Sequence, residues 1–190
     1  MIYYMNPRRQ KAKKQILFGV VLLLIAGGLY WLGRPPVHIA TTFLECVAQG
    51  NPVMESYPRQ CRDTEGTTFR EDIGNELEKD NVIRIAEPRP NGEVASPLTV
   101  KGVARGNWFF EGDFPIVVTD WDGKIVGEGH ATADGEWMTE EFVSFSGTVE
   151  FDTTQIQGGY SNRGTLILKK DNPSDLPEND DALEIPVRFK

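Results

Sequence analysis

Two hydrophobic patterns divide the chain. From Ile16 to Leu32 the residues run Ile-Leu-Phe-Gly-Val-Val-Leu-Leu-Leu-Ile-Ala-Gly-Gly-Leu-Tyr-Trp-Leu, with no charged or strongly polar side chain. A helix rising roughly 1.5 Å per residue would carry this run about 25 Å, near the lower limit for crossing a bilayer. Tyr30 and Trp31 close it, where amphipathic rings favour the headgroup region. From Val82 onward the period falls to two, the signature of half-buried strands. Leu98, Val100, Gly102 and Ala104 alternate with Thr99, Lys101, Val103 and Arg105. Ile185, Val187 and Phe189 alternate with Pro186 and Arg188.

Period and punctuation together predict strands over Val82–Ala86, Leu98–Arg105, Ile116–Asp120, Lys124–Ala133, Phe142–Phe151, Gly164–Lys170 and Leu183–Phe189. Turn signals stand between them at Pro90-Asn91-Gly92, Asp122-Gly123, Asp134-Gly135, Gly158-Gly159 and Asn172-Pro173. Asp122-Gly123 suits a two-residue type I′ hairpin turn. Short strands at this spacing predict an all-β fold, an immunoglobulin-like antiparallel β-sandwich of about seven strands. Pro186 places the last strand at an edge or a bulge. No cysteine pair links the two sheets, so aromatic and aliphatic packing must join them.

Between the two patterns lies a region with weaker periodicity. Thr42-Phe43-Leu44-Glu45 reads as a capping box, and Gly50 followed by Pro52 as a helix stop, so a short helix carries Cys46. Tyr57–Asp63 and Thr67–Glu71, with Glu65-Gly66 between them, form a hairpin carrying Cys61. Residues 71–81 are charged and weakly patterned, an acidic linker or a short polar helix.

Charge adds an orientation. The whole chain sums to 20 − 28 = −8, which argues against nucleic acid as a partner. Residues 1–15 hold Arg8, Arg9, Lys11, Lys13 and Lys14 and no acid, whereas only Arg34 follows the apolar run closely. The positive-inside rule then puts the N-terminus in the cytoplasm and everything after residue 34 outside. The expected organisation is a basic cytoplasmic segment 1–15, a transmembrane signal anchor 16–32 seated in the lipid bilayer, and a linker 33–40. A two-cysteine module 41–70, the acidic linker 71–81 and the sandwich 82–190 follow. In an oxidising compartment Cys46 and Cys61, the only cysteines, are expected to pair. Closing that loop is worth roughly 3 kcal/mol in the chain-entropy model.

A series of motifs also carries a resemblance. Val82-Ile-Arg-Ile-Ala-Glu-Pro88, Val94-Ala-Ser-Pro-Leu-Thr-Val-Lys-Gly-Val-Ala-Arg-Gly106, Trp108-Phe-Phe-Glu-Gly112 and Asp120-Trp-Asp-Gly123 come first. Gly135-Glu-Trp-Met138, Gly164-Thr-Leu-Ile-Leu168 and Asp171-Asn-Pro-Ser174 follow. In this order they resemble the immunoglobulin-like domain of bacterial spore-germination proteins, over about residues 82–190. The resemblance implies an extracytoplasmic sandwich in a bacterial envelope protein that mediates binding rather than chemistry. Its partner would be an envelope protein or a cell-wall ligand. Where that family often carries a second sporulation or germination domain, this chain has its two-cysteine module.

Catalytic and metal chemistry find little support. Neither His38 nor His130 lies in a nucleophile or zinc motif, and nothing marks one carboxylate pair among the 28 acids. No enzyme, no cofactor and no metal are expected. The acidic stretch 171–181 is rich in oxygens, as calcium requires, but Pro173 and Pro177 and the order of its acids read as a solvated loop. Arg59, before Cys61, raises an alternative, since Tyr57–Phe69 faintly resembles part of a Kazal-type protease inhibitor. Finally, Trp108, Phe109 and Phe110 fall in a loop between strands. They are either a plug sealing the sandwich or an exposed aromatic anchor for a partner.

Overall fold

The computed structural model describes residues 18–25, 27, 28, 39–152, 154, 156 and 160–190. The chain divides into two compact units, Met1–Ala40 and Thr41–Lys190. In the first, residues 18–25 are helical and their large apolar side chains are exposed, Leu23 and Leu24 most of all. No helix among the described residues is long and apolar enough to cross a membrane. The basic segment 1–15, the ends of the expected span 16–32, and most of the linker 33–40 lie outside the described residues.

The second unit begins with the helix Phe43–Ala48. Thr42 caps it, its Oγ1 accepting from the Glu45 amide at 3.2 Å. Glu45 reaches back to the amide of Thr41 (2.7 Å) and not to that of Thr42, so the capping box is set one residue further out. Three short strands follow, β1 (Val53–Met54), β2 (Gln60–Arg62) and β3 (Thr68–Arg70), in the antiparallel order β1-β2-β3. Cys61 sits in the middle strand, opposite Val53 and Phe69.

The stretch 71–81, expected as an acidic linker or a short polar helix, is docked. Ile73, Glu71 and Glu76 are buried, and the helix Glu76–Lys79 forms. Asn75 acts like a strand residue: its amide donates to the Glu184 carbonyl (3.1 Å), its Oδ1 accepts from the Glu184 amide (2.8 Å), and its Nδ2 donates to the Ala182 carbonyl (2.9 Å). Gly74 permits this approach. Its φ is +66°, and a Cβ there would lie 1.8 Å from the Glu184 carbonyl oxygen.

The remaining strands are β4 (Ile83–Glu87), β5 (Glu93–Val94), β6 (Leu98–Arg105), β7 (Asp113–Asp120), β8 (Ile125–Ala133), β9 (Phe142–Phe151), β10 (Arg163–Lys169) and β11 (Ala182–Phe189). They form one hydrogen-bonded sheet in the order β4-β6-β9-β8-β7-β10-β11-β5. This sheet curls on itself into the sandwich. Phe151 on β9 and Phe189 on β11 are four strand spacings apart in that order, about 19 Å in a flat sheet. Their ring centroids nevertheless lie 5.3 Å apart. Phe114 meets Phe145 edge-on at 4.9 Å and Phe109 at 5.3 Å, so aromatic contacts link the facing halves.

Three details differ from the sequence reading. The sheet has an eighth strand, β5, whose two residues are too few to show a period. That strand pairs parallel with β11, Glu93 opposite Arg188 and Val94 opposite Phe189, whereas every other pairing is antiparallel. The β7–β8 turn is not type I′: Gly123 has φ +81°, but Asp122 has no positive φ. The Gly123 amide donates to the Asp120 carbonyl and the Asp120 amide to the Lys124 carbonyl, a type I turn closed by a glycine bulge. Asp120 Oδ1 fixes it by accepting from the amides of Asp122 (3.0 Å) and Lys124 (2.9 Å).

Candidate functional site

Folding the segment 41–81 onto the sandwich creates a cleft of about 340 Å³. One wall is the start of the capped helix, with Phe43 and Leu44. Another is the end of β3 and its continuation, from Phe69 to Asp72. Asn91, Arg163 on β10, and Pro186 and Val187 on β11 complete it. Phe43, Phe69 and Pro186 give it an apolar floor, and arginines and carboxylates stand at its sides. The volume falls at the small end of ligand pockets.

Two polar clasps hold the segment 41–81, the first of them through the cleft residues Glu71, Asp72 and Asn91. In the first, Arg59 grips Glu71 with both arms, Nε to Oε2 at 2.8 Å and Nη2 to Oε1 at 2.5 Å. That hydrogen bonding holds the Glu71 carboxyl below the usual carboxylate range and raises the Arg59 guanidinium. Asn91, itself at φ +61°, donates from Nδ2 to the Asp72 carbonyl (2.6 Å) and to Glu71 Oε1 (3.4 Å). In the second clasp Arg89 pairs with Glu76 at 2.6 Å and donates to the Tyr57 hydroxyl at 2.7 Å, while that hydroxyl donates to Glu76. Burial raises the Glu76 carboxyl, and the Arg89 pairing only partly offsets it. Both clasps connect the cysteine-bearing segment to residues on the approach to the sandwich. Chemically they position and hold.

Each residue singled out from the sequence has a definite place. Cys46 and Cys61 are bonded to each other, with Cα atoms 6.1 Å apart, and are completely buried. Trp108 and Phe109 are core residues, 1% and 4% exposed, whereas Phe110 is 42% exposed. The three therefore do not act together: two fill the sandwich and one faces out. The Trp108 indole N–H is the one buried side-chain polar atom without a partner among the described residues. Arg59 is spent on Glu71, with its guanidinium 5.4 Å from the Phe43 ring. His130 lies exposed on β8. The loop 171–181 satisfies itself, Asn172 Nδ2 donating to the Leu176 carbonyl (2.9 Å) and to Asp180 Oδ1 (2.7 Å). Among the described residues no cluster of three metal-binding side chains occurs.

The cleft itself had no sequence signal. Its lining comes from residues 41–44, 69–72, 91, 163 and 186–187, and only the fold brings them together. A second exposed feature, Trp121 at the β7–β8 turn against Tyr160 with centroids 5.6 Å apart, was equally hidden, because the two are remote in sequence.

No curated protein and no solved structure matches the chain. Residues 82–175 match the family model described as the immunoglobulin-like domain of bacterial spore germination. The match ends before β11, although β11 completes the sheet between β10 and β5. Over residues 82–175, then, the chain carries an immunoglobulin-like domain of the bacterial spore-germination family.

Proposed function

We propose that this is a single-pass protein of the bacterial cytoplasmic membrane, with residues 1–15 inside and the unit Thr41–Lys190 outside. That unit serves as a germination-related binding or scaffold module for an envelope protein or cell-wall ligand. The observation that carries the reading is the family match over 82–175. Three features support it. The Cys46–Cys61 bond suits an oxidising compartment. The apolar run 16–32, of which residues 18–25 are helical, offers an anchor. The five cations before that run set its orientation. Within the module the clasped cleft is a concave site of about 340 Å³ whose side chains suit binding. Protease added outside intact cells or spheroplasts should digest residues beyond 34 and leave the N-terminus protected. A protected C-terminal unit in intact cells, digested only after lysis, would overturn the reading.

A further inference from the structure

The arginines of the second unit fall into two groups. Arg59 is paired with Glu71, Arg84 with Asp80 and Arg89 with Glu76. Arg62 donates to the Gly66 carbonyl, Arg105 to the carbonyls of Asn81 and Glu140, and Arg188 to that of Asn91. Among the described residues, Arg70 and Arg163 are the arginines of this unit without a side-chain partner, and both line the cleft. One comes from β3 and the other from β10, 93 residues later in the chain, so only the folded unit brings them together. Neither carboxylate of the cleft pairs with them. Glu71 is committed to Arg59, and Asp72 Oδ1 accepts from the Gly74 amide at 2.9 Å.

This arrangement runs against the character of the surface. Six of the 20 Lys and Arg and none of the 28 Asp and Glu lie in residues 1–40, so residues 41–190 sum to 14 − 28 = −14. In so acidic a unit nearly every guanidinium finds an anion or a carbonyl. Two left unpaired on one cleft offer their N–H donors to an external anion. Guanidinium forks are suited to carboxylates and bind them with charge-assisted hydrogen bonds. The floor beside them is apolar: Phe43, Phe69 and Pro186.

We propose that the cleft binds a short peptide through a free carboxylate. The carboxylate lies between Arg70 and Arg163, and the peptide's apolar side chains lie on the floor. The inference rests on the reading of the unit as a binding module and names the ligand class. It does not depend on membrane topology, so protease accessibility and ligand titration fail independently.

The test is a calorimetric titration of the full chain in detergent micelles with N-acetyl-trialanine as the free acid, its C-terminal amide, and inorganic phosphate. The acid should bind with Kd below about 1 mM. The amide should bind at least about tenfold more weakly, because one charge is gone. Arg70→Gln and Arg163→Gln should each weaken the acid about tenfold or more. Lys169→Gln, which removes an exposed cation outside the cleft, should leave it unchanged. Both arginines are exposed, so unaltered melting of the variants will confirm intact folds. Several results would overturn the proposal: no heat with the acid at millimolar concentration, equal binding of acid and amide, or indifference to both arginine substitutions. Equal displacement of the acid by phosphate would reduce the site to an unspecific anion contact and would also defeat it.

Discussion

Replacing Trp108, Phe109 and Phe110 one at a time by alanine separates core from surface within three consecutive residues. Trp108 belongs to the buried core of the sandwich, and Phe109 contacts Phe114, which in turn meets Phe145. Truncating either removes a buried aromatic and leaves a cavity between sheet halves that no disulfide joins. Each should cost about 3–5 kcal/mol. Phe110, with 42% of its surface exposed, should cost less than about 1 kcal/mol. Trp108→Phe offers a finer test. It removes volume, but it also removes a buried N–H that has no partner, and an unsatisfied buried donor costs about 1–3 kcal/mol. The two effects oppose, so Trp108→Phe should lose less than about half of what Trp108→Ala loses. Urea melts with the disulfide intact measure all four. If Phe110→Ala destabilised as much as Trp108→Ala, the assignment of core and surface would be wrong. If Trp108→Phe cost as much as Trp108→Ala, the indole N–H must have a partner.

The two clasps should respond to pH in opposite senses. Glu71 is depressed by Arg59, so its ionised form is favoured by folding. Its contribution is complete above the usual carboxylate range and is lost as pH falls through its lowered value. Glu71→Gln should flatten the acid limb of stability against pH. Glu76 is raised by burial, so its protonated form is the one favoured by folding. That contribution is present below the usual carboxylate range and fades as pH rises through the raised value, and Glu76→Gln should remove this decline. Thermal melts from acid to neutral pH check both, and a Glu71→Gln profile as steep as that of the unsubstituted protein would refute the first.

How far the sequence reveals this molecule depends on the length scale of each interaction. The bounds of β6 and β9 were legible to the residue, because Leu98–Arg105 and Phe142–Phe151 alternate over many positions and each inward side chain must be apolar. β1 and β5 were not, since two residues carry no period. The segment 71–81 looked like a linker because its attachment is polar: Asn75 replaces a strand's hydrogen bonds and Lys79 reaches Asp181 at 2.5 Å. Such contacts leave no hydrophobic pattern. The cysteine pairing was legible from number and context. The cleft was not, because whether Arg70 and Arg163 have partners is a property of space and not of spacing.

The most direct measurement is the thiol state of Cys46 and Cys61 in protein taken from the native envelope. Cells are quenched in acid, free thiols are alkylated, and the chain is read by mass spectrometry before and after reduction. The account places the Thr41–Lys190 unit in an oxidising compartment with these residues joined. It therefore predicts no alkylation of either cysteine before reduction and alkylation of both after it. Two freely alkylated thiols in unreduced protein would contradict the disulfide, and with it the outside location.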